Sequence, residues 1–190
     1  MRAITFRRVG AGAIVAAVAA AGVTTAASGK PYDTPSGGAA TIKIVGKKKT
    51  LRFSGPKTIK KGAKLTILNT LDPKGDGPHT FTLIESKLSK QAQKQCASKK
   101  GSDLCNALIG AHKVEFISQN DIRVHKKKVD NGKTGWDTAF TNDGKTAGDS
   151  YYTDEQDQST TRKVTAAVGT KLHYFCVVHP FMQGSITVTK

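Results

Sequence analysis

An all-β sandwich is the fold class this sequence predicts, and three observations predict it. Short segments alternate apolar and polar residues with a period of two, which places one face of a strand in a core. Clusters of Gly, Pro, Asn and Asp separate those segments at short intervals. The stretch around Tyr174 to Val178 near the end of the chain is apolar and rich in β-formers.

The elements follow in order. Thr41-Ile42-Lys43-Ile44-Val45 alternates and reads as a first strand, and Leu51-Arg52-Phe53 repeats the pattern after a lysine turn. Gly62 precedes Lys64-Leu65-Thr66-Ile67-Leu68-Asn69, another alternating strand. Asp72-Pro73-Lys74-Gly75-Asp76-Gly77-Pro78 is a turn cluster that delivers the chain to a strand from His79 to Ile84. Toward the other end, Arg162 to Val168 reads as a strand, Gly169-Thr170 as a turn and Lys171 to Val178 as a strand. Ser185-Ile186-Thr187-Val188-Thr189 closes the sheet.

Between these two groups stands an insertion, about residues 86–150. Ser86 to Ala97 is rich in Lys and Gln with few breakers, which predicts a helix. Ser102-Asp103 is an N-cap for a second helix ending near Ala111. Asp130 to Ser150 is rich in Gly, Asp and Thr and reads as loop, with Trp136 and Phe140 as its large anchors. Loops of this length are functional or tied down by something else.

The chemistry is concentrated in Tyr174-Phe175-Cys176-Val177-Val178-His179-Pro180-Phe181-Met182-Gln183-Gly184. A thiolate, an imidazole and a thioether fall inside one tight loop. A second imidazole, His79, lies far upstream in Pro78-His79-Thr80-Phe81-Thr82-Leu83. Two His, one Cys and a weakly bound Met are the ligand set of a blue-copper electron-transfer site. Soft sulfur suits Cu(I), and imidazole suits both oxidation states. Cys and Met are also common core residues, so a plain core strand is the competing reading. A His beside Pro, three residues after the Cys, is hard to explain as packing.

At these residues the chain resembles the cupredoxins, and its loop from Cys176 to Gly184 looks most like that of amicyanin, with plastocyanin and pseudoazurin as wider relatives. The resemblance covers roughly residues 40–85 and 160–190. It implies a cupredoxin-like Greek-key β-sandwich, with the partly helical insertion between the first His strand and the last ligand loop. It also implies one type 1 copper held by His79, Cys176, His179 and the weak axial ligand Met182. The patch around His179, Pro180 and Phe181 would then be where electrons enter and leave. Thr80 stands where many members carry an Asn that ties the two ligand loops together, and its hydroxyl can serve in that place.

Three cysteines are an odd number for an exported chain. With Cys176 taken by the metal, Cys96 and Cys105 remain as a disulfide pair. Export is expected from residues 1–28: Arg2, Arg7 and Arg8 form a basic start, Ala11 to Val23 is apolar, and Thr24 to Ser28 offers small residues for cleavage. Arg7-Arg8 also resembles a twin-arginine signal, and an uncleaved anchor is the competing reading. Residues 29–40 read as a flexible linker and 41–190 as the domain.

The formal charge of the 190-residue chain is +16; the leader holds three Arg and no acid, so +13 stays with the rest. The lysines are dispersed and not interleaved with aromatics, against the pattern of single-strand nucleic-acid binders. An acidic redox partner is the expected partner, with no nucleic acid, no stable membrane insertion after cleavage, and a monomeric state. His112 is expected at a helix end on the surface, and His125 solvated beside its lysines. His173 falls on the strand face opposite Cys176, a poor place for a ligand. Asp154, Glu155 and Asp157 read as a solvated acidic loop. No Ser-His-Asp set, phosphate loop or zinc-protease helix is present; no enzyme is expected, since one copper with no open substrate position can only pass an electron. Two other functions compete with electron transfer: a copper carrier or store, and a metal-free adhesive sandwich.

Overall fold

Alternation decides which side of each strand is buried, and the resulting faces assemble two sheets. A computed structural model of the chain describes residues 38–98, 100–118, 121–123, 128–132 and 135–190. The expected leader, residues 29–37 of the expected linker, and His125 lie outside the described residues. Among the described residues, no helix is long and apolar enough to cross a membrane.

The elements are β1 (Ala39–Val45), β2 (Arg52–Ser54), β3 (Thr58–Lys60), β4 (Lys64–Asn69), α1 (Pro73–Asp76) and β5 (His79–Ile84). The insertion supplies α2 (Lys90–Cys96), α3 (Asp103–Ala111), β6 (Glu115–Ser118), β7 (Asp121–Arg123), β8 (Asp130–Asn131) and β9 (Gly135–Trp136). The last are β10 (Ser150–Thr153), β11 (Ser159–Val164), β12 (Lys171–Phe175) and β13 (Gln183–Thr189). One sheet runs β2-β1-β4-β11-β9 and the other β3-β13-β12-β5-β10-β8, so the predicted β-sandwich is the fold observed. β1 and β4 are parallel neighbours, as are β13 and β3, so the connections cross over between sheets.

The main core lies between the sheets. Ile42, Leu65, Ile67 and Val164 from one sheet meet Phe81, Leu83, Leu172, Tyr174, Ile186 and Val188 from the other. At roughly 1.5–3 kcal/mol per fully buried large apolar side chain, this layer is the main stabilising element. Trp136 and Tyr151 join it from the insertion side.

The expected strands fall close to their places. β4 and β5 run as predicted, β1 begins two residues earlier at Ala39, and β11, at Ser159–Val164, begins three residues earlier and ends four residues earlier than expected. The helix expected from Ser86 begins at Lys90, because the Ser89 hydroxyl caps it by accepting from Ala92 N–H. Ser102 caps α3 as predicted, accepting from Cys105 N–H.

The stretch from Asp130 to Ser150 is not plain loop. It carries β8 and β9 and delivers β10, which pairs antiparallel with β5. Tertiary pairing overrides its poor local propensity. Arg162 fixes the stretch from beneath, bonding the Asn131 and Ser150 carbonyls and the Asp130 carboxylate while lying 4.3 Å over the Trp136 ring. Buried Asp149 accepts from the N–H groups of Asp137 and Thr138.

The insertion forms a third layer. Ile84 and Phe175 project from the outer face of their sheet into a second apolar cluster with Leu104, Leu108 and Phe140. All six residues of β5 are therefore buried, although its sequence alternates like a half-exposed strand.

Candidate metal centre

The pleat of β5 directs Phe81 and Leu83 into the main core, and His79 shares that parity at the strand's first position. The turn before it is set by Asp72, whose side chain accepts from Lys74 N–H, and by Gly77 at φ +73°. Gly permits that left-handed conformation without strain. β12 runs beside β5, with Phe175 paired to Thr82, so the residue after β12 arrives next to the first residues of β5.

That residue is Cys176, and the loop that follows is closed by its own backbone. Met182 N–H donates to the His179 carbonyl at 2.8 Å, and Cys176 N–H donates to the Met182 carbonyl at 3.1 Å. A loop this tight brings Cys176, His179 and Met182 to one place. Cys176 and Met182 are buried together with Ile44 and Leu51.

The structure brings three of the four predicted ligands into one cluster. The Sγ of Cys176 lies 3.9 Å from His79 Nδ1 and 3.8 Å from His179 Nδ1, and all three ligand atoms lie within 4.8 Å of one another. The imidazole rings stand 4.9 Å apart. A metal with bonds of about 2.0 Å to nitrogen and about 2.3 Å to sulfur, spread by roughly 110–120°, spans sulfur–nitrogen edges of about 3.5–3.8 Å. Met182, the fourth expected ligand, is buried in the same apolar cluster as Cys176. His112 and His173 do not join the cluster, and Cys96 and Cys105 are bonded to each other with Cα atoms 5.6 Å apart.

The chemistry of the donors fits a soft cation. His79 is fully buried, its Nε2 has no hydrogen-bond partner, and its Nδ1 faces the sulfur. Burial lowers its pKa to about 4, with the charge of His179 acting in the same direction and Asp76 opposing. Burial likewise lowers His179. Both imidazoles are thus neutral and have a lone pair for a metal. Burial raises the Cys176 thiol, while the N–H groups of Thr80, His179 and Val178 and the Thr80 hydroxyl act to lower it. Donors aimed at sulfur stabilise a thiolate, and a cation at the centre does so further. The His-Cys-His cluster is suited to one copper ion.

Thr80 ties the two ligand segments as its position predicted. Its backbone N–H donates to Cys176 Sγ at 3.3 Å, and its hydroxyl accepts from Val177 N–H at 2.9 Å. Sequence reasoning missed other neighbours. Asp76, on the turn before His79, faces His179 and accepts from Lys48 N–H, which brings a lysine-rich turn to the site's rim. His112 is a correction: it ends α3 as expected, but it is buried under the third layer and not on the surface. The acidic loop is a solvated one, with Glu155 and Asp157 exposed.

No model of a known protein family matches the chain, and no curated protein sequence matches it. Among solved structures, the chain is similar to a dithionite-reduced auracyanin from the photosynthetic bacterium Roseiflexus castenholzii. The two are 15% identical, with a TM-score of 0.42, over 83% of this chain and 100% of that one. It is also similar to auracyanin A, a blue copper protein from the green thermophilic bacterium Chloroflexus aurantiacus, at 16% identity and a TM-score of 0.38 over 80% of this chain and 100% of that one. The geometry of His79, Cys176 and His179, and not these likenesses, carries the chemistry of the site.

Proposed function

We propose that the chain is a type 1 copper protein of the cupredoxin kind, with an amicyanin-like ligand loop, that passes single electrons between partners outside the cytoplasm. The observation that carries this reading is the buried convergence of His79 Nδ1, His179 Nδ1 and Cys176 Sγ. His79, Cys176 and His179 would hold the ion, and Met182 would supply a weak fourth donor. Copper bound there supplies a one-electron couple whose potential responds to the axial ligand and to hydrogen bonds at the cysteine sulfur. The chain's own part is to hold the ligands still. The two backbone bonds of the loop and the Thr80 bridge fix the donor atoms, so little has to rearrange between oxidation states.

The site opens at one end. His79, Cys176 and Met182 are at most 1% exposed, whereas His179 is partly exposed and lies 5.9 Å from the ring of Phe181, which is 49% exposed. Lys48 and Lys49 border the same patch, and Lys47 is exposed beside them. An apolar centre with a basic rim fits a redox partner with an acidic rim. The Cys96–Cys105 bond supports an oxidising compartment, in keeping with residues 1–28 as an export signal. A copper ion held by all four side chains would have no open position for substrate, and would pass an electron only.

The test is a visible absorption spectrum of the purified protein titrated with Cu(II). An intense thiolate-to-copper band saturating at one equivalent, absent in Cys176→Ser, is the expected result. A colourless protein, or colour that survives Cys176→Ser, overturns the reading. Reversible one-electron cycling with copper retained separates electron transfer from metal delivery, for which Cu(I) would pass readily to an acceptor.

A further inference from the structure

A row of buried hydroxyls joins the insertion to the ligand loop. On the outer face of β5 and β10, Thr80, Thr82 and Ser150 are all at most 1% exposed. Ser150 Oγ lies 2.7 Å from His112 Nε2 and 2.6 Å from Thr82 Oγ1. Thr82 Oγ1 lies 3.4 Å from Thr80 Oγ1, in a geometry that lets Thr82 donate to Thr80. Thr80 in turn meets the ligand loop: its backbone N–H donates to Cys176 Sγ and its hydroxyl accepts from Val177 N–H. In a sandwich without a third layer these threonines would face water and point in any direction.

Each hydroxyl has one proton to give, so His112 decides the direction of the row. His112 Nδ1 lies 2.5 Å from the Lys128 carbonyl, which can only accept, so Nδ1 carries the proton. Burial lowers the His112 pKa and keeps the ring neutral; the charges of Lys128 and Arg162 act the same way, and the Lys128 carbonyl and Asp130 oppose them. Tyr152 packs against the ring at 5.8 Å. Nε2 is then an acceptor and takes the Ser150 proton. Ser150 must accept from Thr82, and the Thr82 proton is drawn away from Thr80.

We propose that His112 is a positioning residue for the sulfur ligand: by taking the Ser150 proton it turns the Ser150 and Thr82 hydroxyls away from Thr80. The Thr80 oxygen then accepts only from Val177 N–H, and the hydroxyl, which acts to favour the Cys176 thiolate, does so without reinforcement from Thr82. This assigns the insertion a tuning role at the metal centre, and it rests on the copper reading above. Loss of the acceptor at position 112 reverses the row. Ser150 then donates to Thr82, and Thr82 to Thr80. Thr80 becomes a stronger donor to sulfur, because hydrogen bonds in a chain polarise one another. A stronger hydrogen bond withdraws charge from the thiolate and favours the reduced metal, raising the potential.

The test is a double-mutant cycle on the copper-loaded protein, read as reduction potential and as the energy of the thiolate-to-copper band. His112→Phe and Ser150→Ala are each expected to raise the potential. His112→Gln, which restores an acceptor, is expected to return it toward wild type. In the Thr82→Val background the row is cut, and His112→Phe is expected to produce no further shift. The same shift in both backgrounds, or no shift in either, overturns the proposal. Ser150→Ala carries the test if His112→Phe does not fold. The metal-free protein gives an independent readout, since the amide resonance of Val177 should move in His112→Phe and stay fixed when Thr82→Val is also present. A wild-type protein without a copper band defeats the copper reading, while the Val177 resonance still decides the row.

Discussion

Cys176 and Met182 close their loop on each other through the backbone: the Cys176 N–H donates to the Met182 carbonyl at 3.1 Å. Two sulfur side chains are thus fixed to one ring of main chain. In the copper-loaded protein, Met182→Leu should keep the loop and the colour, because the backbone bond survives. It should shift the reduction potential, because the weak axial donor is gone. Voltammetry beside an absorption spectrum checks this, and loss of colour in Met182→Leu would show that the thioether is needed to hold the metal.

The basic rim has a kinetic signature. If Lys47, Lys48 and Lys49 steer an acidic partner, electron-transfer rates with an anionic reagent should fall steeply as salt rises. Replacing the three lysines by Gln should lower the rate at low salt and flatten the salt dependence. Stopped-flow mixing at several ionic strengths measures it; identical slopes for both proteins would leave the lysines as solubility residues.

The insertion is stapled where it meets the ligand loop. Cys96 Sγ lies 3.8 Å from the Val177 carbonyl, and Cys105 is buried with Phe175 and Val177. Replacing both Cys96 and Cys105 by Ser should destabilise the fold by about 2–3 kcal/mol on the chain-entropy account, with cavity effects added. Denaturant unfolding provides the number, and no change in midpoint would mean the third layer holds without its bridge.

Acid should loosen the metal-free protein through His79. Its pKa is lowered from 6.5 to about 4 in the folded state, so the folded form resists protonation while the unfolded chain accepts it. That stability is intact above about pH 6.5 and is lost as pH falls toward 4. The full effect is roughly 3 kcal/mol. His79→Phe should flatten the fall over this window in urea midpoints taken at successive pH values.

The strands that frame the site were legible because their side chains obey a period of two, and β4 and β5 match their predicted bounds. The ligand residues were legible because few structures need Cys, His-Pro and Met so close together. The third layer was not. His79-Thr80-Phe81-Thr82-Leu83-Ile84 reads as a strand with a wet face, and nothing local shows that Leu104, Leu108 and Phe140 will cover it. The same blindness hid His112, whose burial depends on Ser150 arriving from 38 residues away. β10 was hidden for the reason that Tyr151 and Tyr152 follow a Gly- and Asp-rich stretch, and only pairing with β5 makes them a strand.

His179 is the one member of the ligand set that reaches the surface. The proposed carrier therefore has a single doorway, and whichever molecule hands over the electron stands where the next must stand to collect it. Donor and acceptor should exclude each other, so turnover between them should follow a ping-pong pattern. An excess of either partner should slow the cycle by blocking the other.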